Sequence, residues 1–442
     1  MSVNYRLVDN LVKLGFKGNI FPVNPNADEI VGLKAYASLR DIGAEVDLVV
    51  SAVPARMTLD VMKECVDKRV GGVVVVSGGF SDAGELGGKE QSEMARLLKE
   101  NGIRAVGPNA LSPINSENNL VISFLPARKI IAGGVSLVFQ SGFYDPRLNW
   151  IFCDFHLGVN KLLDLGNKMD INEVDALEYL AGDDSTKAIA IHIETVKGDG
   201  KRFVQILKDT TRVKPVVVLK SGRSVAGAKA AASHTGSVAR ESDIVFDALL
   251  KQCGAIRAHT VEEFFDFAKA VGFLAPPRGN GIVIASLSGG EGVIAIDAAQ
   301  QHGFSLAKPG SNAYAKMKAV FPPWEIPLNS FDLGVCAQFH GWRGLYDVLF
   351  ESMIGDAGVD CMVVGLPPLG MMFDPETACK PFLLGKDARI PVAVWRLAPD
   401  KSLDAFIEAL ESNNVPVYPS AERAIKALSV VYRYHNWRRA AG

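Results

Sequence analysis

"KAIAIHIETVKGDGKRFVQILKDTTRVKPVVVLKSG", Lys187 to Gly222, decides the fold class. Its ends, "KAIAIHIET" and "KPVVVLKSG", are short runs of Ile, Val and Leu. Its middle, "GKRFVQILKDTTRV", is longer and repeats apolar residues at helical spacing. Strand, helix and strand in that order form a βαβ unit, and its strands run parallel because the helix returns the chain to its starting edge. Nearly unbroken β-branched strands are buried on both faces, so helices must cover the sheet.

The alternation continues in both directions. Upstream lie "NIFPVNP" (Asn19–Pro25), "VDLVVSAVP" (Val46–Pro54), "GGVVVVSGGF" (Gly71–Phe80) and "IRAVGPNA" (Ile103–Ala110), with helix-like "RMTLDVMKECVDKR" and "KEQSEMARLLKENG" between them. A second group opens at "GGVSLVFQSG" and closes at "GAIRAHT", carrying the helix "INEVDALEYLAGD" as well. The linker "LAPPRGNG", Leu274 to Gly281, interrupts the pattern with prolines and glycines. Beyond it come "GIVIASLSGG", "VDCMVVGLPP", "IPVAVWRLA" and "NNVPVYPS". The expected architecture is α/β: a Rossmann-like domain over 1–127, then two flavodoxin-like, doubly wound parallel-sheet domains over 128–275 and 280–442.

With 442 residues, about three domains of roughly 150 residues each are expected. Lys plus Arg number 47 against 49 for Asp plus Glu, a net charge of −2, so no global field draws the chain to nucleic acid or an anionic membrane. The six cysteines have no CxxC or His spacing suited to a metal, which suits free thiols in a reducing compartment. No run approaches the ~20 apolar residues of a membrane span. The opening "MSVNYRLVDNLVKLGFKG" resembles an amphipathic helix without a signal-peptide cleavage site. A soluble cytoplasmic protein is expected.

Ligands of doubly wound sheets bind beyond the carboxyl ends of the strands. Asn24 in "VNPN", Val53 and Pro54 in "AVPA", Ser77 and Gly78 in "SGGF", and Asn109 in "GPNA" are therefore the candidate contacts for a nucleotide-like cofactor. A nicotinamide cofactor is disfavoured, since no GxGxxG turn follows a first strand. Gln140, Ser141 and Gly142, and again Ser288, Gly289 and Gly290, stand where a buried strand hands over to an expected helix. Free amides and the positive end of a helix dipole there suit phosphate, and Pro146 is expected in the first turn of the earlier helix.

One histidine has an unusual setting. His234 sits in "AASHTGSVA", on what reads as a small-residue loop leading from the strand "KPVVVLKSG". An imidazole there can approach large ligands, and it attacks phosphorus when a nearby carboxylate holds its other nitrogen. Glu194 ends the neighbouring parallel strand and is the candidate carboxylate. His156, His192, His259, His302, His340 and His435 read as structural or surface residues.

These stretches, together with "GFKGNIFPVNPNADEIVGLKAYASL", "LGNKMDINEVDALEYLAGDDSTKAIAIHIE", "KPVVVLKSGRSVAGAKAAASHTGS" and "SGGEGVIAIDAA", resemble the α subunit of NDP-forming acyl-CoA synthetases, which include the ADP-forming acetyl-CoA synthetases and are related to succinyl-CoA synthetase. The resemblance covers nearly the whole chain in order. It implies a CoA-binding first domain followed by two ligase domains. His234 would carry the phosphoryl group, Glu194 would steady it, and the turns Gln140–Gly142 and Ser288–Gly290 would face phosphate. ATP or ADP with Mg2+ would bind an ATP-grasp β subunit, in a hetero-oligomer or around a homodimer.

The sequence also departs from the family. The family's first strand and Gly-rich loop are missing from the start, which implies a truncated chain or altered CoA binding. Ala110 and Ser112, the run Phe143, Tyr144 and Asp145, and "NSFD" at Asn329–Asp332 replace the usual residues. The alternative is a noncatalytic CoA-binding or scaffold subunit of the same fold.

Overall fold

The structure is a computed structural model that describes residues 4–111, 113–235, 243–323, 329–367 and 374–441, with the backbone alone at 231–235 and 338. Ser112 lies outside the described residues. The chain divides into two compact units, Met1–Thr260 and Val261–Gly442. Each is described by itself.

The first unit opens on the helix Tyr5–Lys13 and contains two larger sheets. Strands Leu48–Ser51, Gly72–Val75 and Arg104–Val106 run parallel in chain order. Because side chains alternate along a strand, Val73 and Val75 join Met62, Cys65, Met94 and Leu98 of the covering helices Ala55–Lys68 and Glu85–Glu100. Val74 and Val76 face the other way, onto Leu7, Leu11, Ala110 and Ile122. "NIFPVNP" does not form the expected strand. Pro22 and Pro25 lack the amide hydrogens a ladder needs, and only an isolated bridge between Val23 and Tyr36 remains.

The second sheet has the strand order Ile256–Ala258, Val216–Lys220, Ala188–Ile193, Ala132–Phe139, Val159–Asp164, Ile114–Asn115, Leu120–Val121. Its five leading strands are parallel, and the last two are antiparallel additions. The helices Glu173–Gly182 and Gly200–Val213 place Leu177, Leu180, Phe203 and Leu207 on Ile189, Ile191, Val216 and Val218. Asn172 and Asp199 cap them by accepting first-turn amides.

Two local expectations are corrected. After Gly142 the chain forms a short 3-10 turn, Gly142–Arg147, and then a π-turn, Trp150–Asp154, instead of an α-helix. Pro146 lies past the first turn, where it has no hydrogen to donate to the Gly142 carbonyl and blocks an α-helix. The supposed loop before His234 is the helix Val225–Thr235. Ser224 starts it, its Oγ accepting from the Gly227 amide at 3.0 Å, and the run of alanines, the best helix formers, sustains it.

The turn after Val159–Asp164 carries Gly166 at φ +53°, and a Cβ there would lie 2.1 Å from the Pro108 carbonyl oxygen. Gly166→Ala is expected to cost about 2 kcal/mol through backbone strain and this clash, read as a lowered urea midpoint. An unchanged midpoint would contradict the close approach.

The second unit holds one parallel sheet, ordered Ser305–Leu306, Gly281–Ser286, Cys361–Leu366, Val392–Arg396, Val417–Tyr418, with Phe331–Asp332 also paired to Gly281–Ser286. The helix Val261–Phe273 belongs to this unit. Its Glu263 and Asp266 pair with Lys426 and Arg423 of the terminal helix Ala421–Ala441. No helix among the described residues is long and apolar enough to cross a membrane.

Candidate functional site

The strand ends of the first sheet gather most of the candidate cofactor contacts. Ser77 Oγ donates to the Val53 carbonyl, and the Asn109 amide donates to the Ser77 carbonyl at 2.9 Å. Asn109 is left-handed, φ 59°, and a Cβ on Gly78 would lie 3.4 Å from its Oδ1. Val53, Ser77, Gly78 and Asn109 thus form one patch, and Pro54 begins the adjoining helix. Asn24 is held elsewhere: its amide donates to the Tyr36 carbonyl and its Oδ1 accepts from the Asn26 amide. The amides of Gly79 and Phe80 both donate to Asp82, at 2.9 and 3.0 Å. Burial raises the Asp82 pKa, but these bonds and one from Asn167 outweigh it and hold the carboxyl below its ordinary value.

The segment leaving Val159–Asp164 joins this edge to that of the second sheet. Asn167 and Met169 amides donate to the Pro108 and Gly107 carbonyls, each at 2.8 Å. Asn167 Nδ2 donates to Asp82 at 2.7 Å and to Gln91 at 3.2 Å. The helix Val225–Thr235 packs beside the turn Ser81–Ala83. The carboxyl ends of the two sheets are therefore tied to one another through Asn167 and Met169, and the His234 helix packs against the same edge.

Glu194 stands at the end of Ala188–Ile193, buried, with its amide held 2.8 Å from Gln140 Oε1. Gln140 also accepts from the Thr195 amide at 3.0 Å and donates to Thr195 Oγ1 at 3.1 Å. The structure thus uses Gln140 as a strut beside Glu194. Ser141 Oγ accepts from the Phe143 amide at 3.4 Å, and a Cβ on Gly142 would strike Leu111 at 2.7 Å. Ala188–Ile193 lies next to Val216–Lys220 in the sheet, as expected from Glu194 and the strand leading to His234. The His234 side chain lies outside the described residues.

Aromatic and acidic groups fill the space after Gly142. Tyr144 is buried, stacked on Phe139 at 3.5 Å, with its ring 5.6 Å from that of His192. Asp145 is buried and accepts from Ser123 Oγ at 2.6 Å. Burial pushes the Asp164 carboxyl up to about 8, against hydrogen bonds from the Leu111 and Gly166 amides and with help from the charges of Asp145 and Glu194.

The other predicted phosphate turn lies in the second unit. Ser288 caps the helix Gly289–Gln301, its Oγ accepting from the Glu291 amide at 3.4 Å, and Ser288, Gly289 and Gly290 are exposed. Glu291 accepts from Trp395 Nε1 at 3.2 Å, which sets a carboxylate in that first turn.

Sequence reasoning missed Asp82, Asn167, Lys220 and His192. Bonds such as Asp82 to Asn167, His192 to Ser221 and Lys220 to the Glu194 carbonyl reach far along the chain, and only the spacing of His192 two residues before Glu194 gave a signal. Burial, and then the charges of Lys168 and Lys220, push the His192 imidazole down to about 4. An unfolded imidazole takes its proton near ~6.5, so this group's contribution to stability is complete above that pH and is lost as pH falls towards 4. The stability of wild type relative to His192→Gln should therefore fall between pH 7 and pH 4.5 in urea melts. Parallel profiles would contradict the burial.

Comparison with known proteins fits this geometry. Residues 1–114 match the family model described as a CoA binding domain, and residues 132–271 match that of the succinyl-CoA ligase like flavodoxin domain. The chain is 34% identical to the α subunit of ADP-forming acetate–CoA ligase I of Pyrococcus furiosus, over 99% of this chain and 94% of that one. It is also 34% identical to ADP-forming acetate–CoA ligase II of Archaeoglobus fulgidus, covering 97% of this chain but 63% of that longer protein. Among solved structures, the dinucleotide-forming acetyl-coenzyme A synthetase 1 of Ca. Korarchaeum cryptofilum, in complex with phosphate and ADP, superposes with a TM-score of 0.87 at 29% identity, covering 99% of this chain and 93% of that one. On sequence, coverage and fold together, the chain belongs to the family of α subunits of ADP-forming acyl-CoA synthetases.

Proposed function

We propose that this chain converts acyl-CoA, phosphate and ADP reversibly to acid, CoA and ATP, together with an ATP-grasp partner chain that binds ADP and Mg2+. The observation that carries the reading is a juxtaposition. The buried Glu194 ends a strand whose parallel neighbour leads into the His234 helix, and that helix packs against the strand-end turn of the first sheet.

Phosphate oxygen attacks the thioester carbonyl, and CoA leaves as thiol to give an acyl phosphate. A nitrogen of His234 then attacks phosphorus, and the carboxylate leaves as free acid. Phosphohistidine finally passes its phosphoryl group to the terminal oxygen of ADP, which restores the imidazole. Glu194 would accept a hydrogen bond from the ring's other nitrogen and stabilise its positive charge. Val53, Pro54, Ser77, Gly78, Asn109 and Asn24 are the proposed CoA contacts. Gln140–Gly142 and Ser288–Gly290 are the proposed phosphate contacts, and the domains are 1–127 for CoA and 128–275 with 280–442 for ligation.

One observation favours a second reading, a noncatalytic CoA-binding or scaffold subunit: the buried Asp145 lies beside the first proposed phosphate turn and would repel an anion. Incubation with the partner chain and γ-labelled ATP separates the two. An acid-labile, base-stable protein label supports catalysis, and CoA binding without label supports the scaffold.

A further inference from the structure

We propose that His192 and Lys220 are positioning residues for phosphoryl transfer, holding the turn Ser221–Ser224 from which the His234 helix rises in register with Glu194. The inference rests on the function proposed above. Three bonds converge on Ser221. Its amide donates to the Ile193 carbonyl at 2.9 Å, its Oγ meets His192 Nε2 at 2.6 Å, and its carbonyl accepts from Lys220 Nζ at 2.8 Å. The same ammonium donates to the Glu194 carbonyl at 2.6 Å. One lysine thus ties the backbone of the carboxylate to the start of the turn.

His192 lies on the strand Ala188–Ile193, and Glu194 follows immediately after its end. The imidazole is 5% exposed, and its Nδ1 is buried with no hydrogen-bond partner among the described residues. Burying a ring nitrogen unpaired is costly. A phenyl ring would fill the same space without that cost, so the hydrogen bond to Ser221 distinguishes a histidine here. Gly222, at φ 70°, turns the chain immediately afterwards, and Ser224 caps the helix. A shift of Ser221 would therefore pass into the helix that carries His234.

The test is single-turnover labelling by γ-labelled ATP, with the full chain and its partner, beside calorimetric CoA affinity. His192→Phe and Ser221→Ala should each slow labelling about tenfold, the equivalent of one hydrogen bond lost in the transition state, and leave CoA affinity unchanged. The double variant should lose no more than either single one. His192→Gln, whose amide reaches the place of Nε2, should restore most of the rate. Wild-type rates in both single variants, or losses that multiply in the double, would overturn the inference. Should His192→Phe fail to fold, Ser221→Ala, at a half-buried position, carries the same test. A wild type that takes no label would instead overturn the reading of function on which this rests.

Discussion

His234→Ala is expected to abolish the acid-labile label and to lower ATP formation by on the order of 10³-fold or more, the scale of losing a covalent nucleophile. An alanine side chain has no lone pair to offer phosphorus, and an acyl phosphate on Glu194 would be base-labile, so it would not give the acid-labile, base-stable label. The variant should fold. Position 234 lies on the helix Val225–Thr235, where alanine is the most favourable residue, so thermal stability should match or exceed wild type. CoA affinity should persist, because the proposed CoA contacts come from the first sheet. Glu194→Gln should retain a slow label, since the amide oxygen can still accept from the ring but carries no charge to stabilise the imidazolium. A label that survives in His234→Ala would assign the carrier to another residue.

Most of the architecture was legible because it follows from local pattern. "KAIAIHIE" and "KPVVVLK" alternate with a capped amphipathic helix, and the structure has them as adjacent parallel strands. That adjacency also brought Glu194 beside the strand leading to His234. The strand Val159–Asp164 was not legible, because its Asn160 and Lys161 look like loop residues. Their burial is compensated by partners distant in the chain, chief among them Asp183, over twenty residues away, which accepts from both at 2.8 Å. The helix Val225–Thr235 was hidden for a different reason: its small side chains suggested mobility, although alanine's backbone preference points the other way. Pro146 suits a first helical turn by its missing hydrogen, but it lies too far into the segment to serve there. The His192–Ser221 bond joins residues twenty-nine apart, and nothing in either local sequence announces the other.

Lys269→Met is expected to destabilise the second unit by about 3–5 kcal/mol, the cost of leaving one member of a buried ion pair behind. Lys269 and Glu411 are 1% and 2% exposed in their side chains and lie 2.5 Å apart, Nζ to Oε1. Burial pushes the Lys269 ammonium below its ordinary pKa, and the attraction of Glu411 opposes that shift. The same Oε1 accepts from the Val417 amide at 3.1 Å, which ties the helix Val261–Phe273 to the edge strand Val417–Tyr418 through one carboxylate. Methionine matches the length of the lysine stem but cannot answer the charge, so Glu411 must either protonate or draw in water. Both routes weaken that edge. Lys269→Met with Glu411→Leu should recover part of the loss, because two apolar side chains remove the desolvation cost with the attraction but leave the Val417 amide without its acceptor. Urea denaturation of the full chain reads the stability, and amide exchange in residues 261–441 should show the loss there and not in the first unit. A single variant within about 1 kcal/mol of wild type, the worth of an exposed pair, would mean that solvent reaches these charges and that the buried pairing does not hold the unit together.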